Sequence, residues 1–245
     1  MQNKIKAFIS DWDTNHFGFK VAKANVASVE EVLPTLDFCN GESIKLLISR
    51  VPSDNTSLIH ELQRCGFLLM DGLIKYRLDL ANANTNTTLD LSIIRSYKDG
   101  DAESITNIAL RAFRGYIDHF HKDPKLDTTK CDLLYAQWGY NSCFDKSLAE
   151  KVLVAEVEKK VIGFAGIILT EPRVGDFGLV GVSPKAKGRG IYRKLYLASI
   201  DWCRSQGLNY LETKTQFGNY AVQKVWGDLG FRVCSFFYTF HKWLK

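Results

Sequence analysis

The chemistry-bearing stretch is Lys185-Ala-Lys-Gly-Arg-Gly190, which sets the cations Lys185, Lys187 and Arg189 beside Gly188 and Gly190. It follows an apolar run, Leu179, Val180 and Val182, that reads as a strand. Pro184 cannot donate to a ladder and ends the pairing. After the loop, Ile191, Leu195 and Ala198 recur at helical spacing, with Tyr192 and Ile200 widening the stripe. The glycines therefore fall where a loop becomes a helix, and backbone N–H groups there lack intrahelical partners. With the three cations they form an anion cradle suited to a pyrophosphate. Two phosphate loops are excluded: Gly-x-x-x-x-Gly-Lys-Ser/Thr does not occur, and the three-glycine dinucleotide spacing fails because position 193 is Arg.

A second polar group lies upstream, in Arg114–Asp127 and the segment after it. Asp118, His119 and His121 are candidates for proton transfer, and histidine has the fitting pKa. Arg114 and Lys125 suit an anionic group. Tyr116, Tyr135 and Trp138 suit stacking on a flat ring or a sugar-like face. Tyr135 and Trp138 are i,i+3 neighbours, so one of them also suits the core. Gln137 points elsewhere on that helix, where it reads a polar edge. Trp12 and His16 read as packing groups.

The composition is that of a globular protein: 245 residues, 46% hydrophobic, 24% charged, net charge +5. That length fits one large core or two small ones. The mild charge, with no arginine-rich tract, argues against nucleic acid and for polyanionic small molecules. Six cysteines include no Cys-x-x-Cys pair, and Met1–Ser10 lacks a signal-peptide pattern, so a cytoplasmic protein with reduced thiols is expected. No apolar run approaches the ~18–20 residues that cross a bilayer, so no membrane partner is expected.

These groups need elements to position them. Strands are expected near Ile5–Ser10, Val21–Ala27, Lys45–Val51, Phe67–Met70 and Leu73–Leu80, with helices opening at Ser28 and at Ser53 or Asp54. Residues 1–80 thus read as a small N-terminal α/β domain. Ala81–Thr88 is small, polar and uncharged, the composition of a linker. From Leu89 the order is a strand, a helix over Ala102–Phe113, a polar loop, and a helix capped by Thr128 or Thr129. A hairpin at Leu148–Leu169, the strand–loop–helix unit, a strand at Tyr210–Thr215, a helix at Ala221–Leu229 and a last strand follow.

Arg/Gln-x-x-Gly-x-Gly/Ala after a strand is the pyrophosphate loop of the GNAT acyl-CoA transferases, and Lys185–Gly190 resembles it, with Lys185 where Arg or Gln is usual. Asn219-Tyr-Ala221 followed by Leu229-Gly-Phe231 resembles the family's later motif. The resemblance covers residues 89–245 and implies an α/β fold with a mixed sheet. It implies acyl-CoA as co-substrate and no metal. Within the family the chain is similar to nucleotide-sugar N-acyltransferases of the TDP-fucosamine acetyltransferase type, through Trp12–Gly18, Ala112-Phe-Arg114, Tyr135-Ala-Gln-Trp138 and Thr215–Asn219. That implies acyl transfer, acetyl or a bulkier group such as 3-hydroxybutyryl, to the amine of a dTDP-linked amino-dideoxy sugar for a surface polysaccharide such as the O-antigen of lipopolysaccharide. A monomer or a homodimer would serve.

The resemblance also implies roles. Val180, Gly181 and Val182 would border a slot for the acyl-pantetheine arm, with a backbone amide near Val182 facing the oxyanion. Lys185, Lys187, Gly188, Arg189, Gly190 and Ile191 would hold the pyrophosphate, and Asn219 the arm. Where many members carry a tyrosine that protonates the leaving thiolate, this chain has Trp226, whose N–H cannot ionise at useful pH. Tyr220, a water or no acid at all takes that role. Alternatives are a GNAT acting on another amine or a protein N-terminus, and a non-catalytic acyl-CoA sensor.

Overall fold

The structure is a computed structural model that describes residues 7–83 and 89–245. Most of the expected linker, residues 84–88, lies outside them, as do the first residues of the strand expected at Ile5–Ser10.

In order the elements are β1 (Ala7–Ile9), α1 (Asp11–Phe17), β2 (Val21–Ala24), a 3-10 turn (Val29–Glu31), α2 (Val32–Gly41), β3 (Leu46–Pro52), α3 (Thr56–Arg64) and β4 (Leu68–Asp79). Then come β5 (Ile94–Ser96), α4 (Ala102–Ala112), α5 (Thr128–Asn141), β6 (Lys151–Val157), β7 (Lys160–Glu171) and β8 (Val174–Val182). A 3-10 turn (Pro184–Ala186), α6 (Ile191–Ser205), β9 (Tyr210–Gln216), α7 (Tyr220–Asp228) and β10 (Arg232–Trp243) complete the chain. The α/β class with a mixed sheet is as the sequence predicts.

The described strands form one sheet in the order β1-β2-β3-β10-β4-β9-β8-β7-β6-β5. β2–β3 and β8–β9 pair in parallel and the rest antiparallel. The last strand, β10, inserts between β3 and β4. The boundary expected at Ala81–Thr88 thus falls between two strands of a shared sheet, and β4 of the first eighty residues pairs directly with β9.

Helices cover both faces. Tyr76 and Leu78 of β4 pack with α6 and Trp226 of α7 on one face. The α4–α5 pair packs on the other, over Val152, Val154, Phe164 and Leu179. Local chemistry shifts several expected ends. Asp127, not Thr128 or Thr129, caps α5 by accepting from Thr129 N at 2.7 Å and Lys130 N at 3.1 Å, and Asn55 caps α3 through Leu58 N at 3.3 Å. Ser28 makes no side-chain cap, although Glu31 reaches back to Ala27 N at 2.7 Å. The two strands expected at Phe67–Met70 and Leu73–Leu80 are one, β4. Its pairing with β10 shifts from Leu69 opposite Phe240 to Asp71 opposite Thr239, leaving Met70 as a bulge.

Candidate active site

β8 and β9 pair only from Val174 with Tyr210 to Asp176 with Glu212. Both strands continue past that rung, to Val182 and Gln216, so a wedge opens between them. A bulge helps to bend β8: Ala165 faces Val180 while Ile167 faces Phe177, one extra residue on the β8 side. Alternation then decides which backbone groups look into the wedge. Ser183 N donates to Ile162 O of β7 at 2.8 Å, so Val182 and Val180 turn their N–H groups the other way, toward the gap. Gly181 admits no side chain, since a Cβ would lie 2.7 Å from the Phe164 ring.

At the mouth of the wedge, Gly188 and Gly190 sit at φ 77° and 71°, the left-handed region that a glycine enters without strain. Nothing stands within 4 Å of a Cβ built on either. Gly190 is the N-cap of α6 and supplies no side chain. The first helical bond runs from Lys194 N to Gly190 O at 3.0 Å, which leaves the amides of Ile191, Tyr192 and Arg193 for an outside acceptor. Lys185, Lys187 and Arg189 are exposed around them. This open, uncapped, basic turn fits a pyrophosphate.

Hydroxyls line the wedge. Tyr192 donates to Tyr196 Oη at 3.1 Å, which pairs with Thr213 Oγ1 at 3.1 Å. Asn219 Nδ2 donates to Thr215 Oγ1 at 2.8 Å and to Tyr116 Oη at 3.1 Å. Burial drives the phenols of Tyr192 and Tyr116 upward in pKa, so both stay protonated.

The family model for the GNAT acetyltransferases matches residues 103–231, more than half of the chain. The chain belongs to the GNAT acetyltransferase family. It is 21% identical to the dTDP-fucosamine acetyltransferase of Escherichia coli O6:H1 over 94% of this chain and 95% of that protein. It is 36% identical to the mycothiol acetyltransferase of Amycolatopsis mediterranei, but over 32% of this chain, and the match spans only 29% of that relative. A GCN5-related N-acetyltransferase from Sphaerobacter thermophilus superposes with a TM-score of 0.68 at 13% identity, over 97% of this chain and 76% of that one, a likeness of fold.

In this GNAT chain the α4–α5 loop spends much of its polarity on itself. Asp118 is buried and accepts from Phe120 N and His121 N at 2.8 Å, from His121 Nδ1 at 3.1 Å, and from Tyr135 Oη. His121 also meets Asp132 through Nε2 at 3.1 Å. Burial opposes charge on His121, but the two carboxylates outweigh it and raise its pKa. Both ring nitrogens of His121 and the Asp118 carboxylate are thus engaged within the loop and α5. His119 donates or accepts at His241 Nε2, 2.8 Å away, and His241 Nδ1 meets Asp123 at 2.7 Å. Burial holds His119 well below its usual pKa, hence neutral.

Other expected roles are redistributed. Tyr135 stacks on Phe113 at 4.6 Å and Trp138 packs with the same buried cluster, so neither is an open stacking platform. Gln137 meets His16 Nδ1 at 3.1 Å, which ties α5 to α1. Lys125 lies 5.4 Å over the Trp243 ring. Arg114 is exposed. Tyr116 alone of the expected acceptor residues reaches the wedge. Tyr220, the first residue of α7, is 77% exposed. Trp226 is 1% exposed; its N–H faces the Tyr192 and Tyr196 hydroxyls without closing a hydrogen bond.

Sequence reasoning missed the sheet floor beside the wedge. Arg50 of β3 and Asp71 of β4 both stand opposite Thr239 of β10. Arg50 donates to Thr239 Oγ1 at 3.2 Å. Its residue surface is exposed, yet desolvation of the guanidinium by the surrounding protein lowers its pKa, with Asp71 and Tyr135 pulling the other way. Asp71 is 3% exposed, and neither of its oxygens has a partner. The signal was a lone charge in the apolar run Leu68-Leu-Met-Asp-Gly-Leu-Ile74.

Proposed function

We propose that this protein moves an acyl group from acyl-CoA to the amino group of a dTDP-linked amino-dideoxy sugar. The observation that carries the reading is the match to dTDP-fucosamine acetyltransferase along nearly the whole chain. It includes the N-terminal strands that floor the cleft, whereas the mycothiol matches span a small part of their relatives.

The pyrophosphate of CoA rests on the amides from Gly188 to Arg193. The pantetheine arm enters the wedge as a false strand, pairing with the free edge of Val180 and Val182. An amide there faces the thioester oxygen as it becomes an oxyanion, the kind of donor worth about 2.7–4 kcal/mol. Tyr116, Thr215 and Asn219 close the far end of the slot. The amine, once neutral, attacks the carbonyl carbon, the C–S bond breaks, and CoA leaves as thiolate. Holding the reactants in line supplies up to roughly 7–11 kcal/mol. No helix among the described residues is long and apolar enough to span a membrane.

The test is mass spectrometry of the protein incubated with acetyl-CoA, 3-hydroxybutyryl-CoA and dTDP-fucosamine. The expected product is the dTDP-sugar heavier by one acyl group. Release of CoA thiol with no change in the sugar nucleotide would sink the proposal.

A further inference from the structure

Asp71 is a buried charge without a hydrogen-bond partner among the described residues. A carboxylate 3% exposed with both oxygens unpartnered is costly to keep. A bulge at Met70 precedes it, of the kind that re-aims a strand side chain beside a site. Gly72, next in sequence, admits the Phe217 ring 2.4 Å from where its Cβ would be, which seats the turn before Asn219 against β4. Asp71 thus lies at the end of the wedge, close enough to Tyr116 and Tyr135 for its charge to raise both phenols further. Arg50 flanks the same Thr239 from the other side, about 10 Å from Asp71 by Cα at ordinary strand spacing. No ion pair joins the two among the described residues, and Arg50 spends only its Nε–H on Thr239.

We infer that Asp71 and Arg50 hold the acceptor as a zwitterion, Asp71 taking its ammonium and Arg50 an anionic group on the same molecule. The inference rests on the acyltransferase reading and deepens it. An acceptor amine arrives protonated and must shed a proton to attack. The N–H bond breaks, its electron pair stays on nitrogen, and the proton passes to Asp71. The nitrogen then attacks the thioester carbon, the C–S bond breaks, and the second proton leaves with the CoA thiolate. The positive guanidinium meets a phosphate or a carboxylate; a sugar nucleotide offers the former through its diphosphate.

The experiment compares wild type, Asp71→Asn and Arg50→Gln on dTDP-fucosamine and on the same amino sugar without its nucleotide, with the acetyl-CoA KM as control. Wild type is expected to favour the nucleotide-bearing acceptor at least tenfold in KM. Arg50→Gln should abolish that preference. Asp71→Asn should lower kcat/KM at least tenfold for both acceptors and make it climb with pH as free amine accumulates. The acetyl-CoA KM should not move. A separate readout needs no acceptor: Asp71→Asn should raise Tm, because an unpaired buried charge is gone. Unchanged acceptor kinetics in Asp71→Asn, or a lowered Tm, overturns the proposal. An Arg50→Gln enzyme that keeps its preference overturns the anion half. A wild type that acylates neither sugar defeats the dTDP-sugar reading instead, and the Tm comparison still tests Asp71.

Discussion

Asp176 and Glu212 face each other on the last rung that joins β8 to β9, and their charges are held in opposite ways. Burial raises the pKa of Asp176 despite Lys214, and one of its oxygens has no partner. Glu212 is also buried, but Lys75 and Arg77 outweigh that and lower its pKa. The rung where the wedge begins therefore contains one carboxylate that the fold tolerates and one that it uses.

Glu212→Gln should leave Lys75 and Arg77 without their partner and cost about 1–3 kcal/mol, a fall of several degrees in Tm. Asp176→Asn should leave Tm unchanged or raise it at neutral pH. Calorimetry of the two variants checks this; equal losses would mean that both carboxylates bear the rung.

His121 gives a pH signature. Its pKa is raised in the folded protein, so its contribution is fully present below the unfolded value near 6.5 and is lost as pH rises through the folded one. His121→Gln should then cost more stability at about pH 5.5 than at about pH 9 in urea titrations. Neighbouring His119 is shifted downward chiefly by burial, carries the opposite sign and is present in both proteins. A cost that grows toward alkaline pH would refute the two-carboxylate clamp.

Gly188→Ala tests the cradle. The Cβ would meet no protein atom, so its cost to folding is confined to the strain of φ 77°, about 1 kcal/mol. The same Cβ enters the space where the pyrophosphate would rest. Calorimetric titration should show CoA binding weakened at least tenfold, with the fold retained by circular dichroism. Unchanged CoA affinity would move the pyrophosphate elsewhere.

The glycine turn and the uncapped start of α6 were legible in the sequence because they depend on short-range features: glycines, a proline stop and a helical stripe within about twenty residues. The class of fold was legible for the same reason. The acceptor side was not. The loop residues Asp118, His121 and Tyr135 have the right types for catalysis, but hydrogen bonding among themselves decides their role, and that needs coordinates. Arg50 and Asp71 are twenty-one positions apart and come together only because β10, the last strand, slots between β3 and β4.

Trp226 is the sharpest test of how the leaving thiolate is handled. It is buried, with its ring 5.3 Å from that of Tyr76. Its N–H remains protonated throughout the accessible range and cannot supply a proton. Trp226→Phe keeps most of the ring and removes an N–H that has no hydrogen bond to lose. It should retain kcat within about tenfold, a barrier change near 1.4 kcal/mol. Trp226→Ala should do more harm, opening a cavity beside the wedge at a cost of about 3–5 kcal/mol in stability. Tyr192→Phe is the contrasting variant, because it deletes a hydroxyl that stands in the wedge with Tyr196 and Thr213. It should lower kcat at least tenfold with CoA binding intact. If Trp226→Phe instead loses three orders of magnitude in kcat while still binding acyl-CoA, the indole N–H itself is essential, and catalysis by positioning and backbone amides is the wrong account.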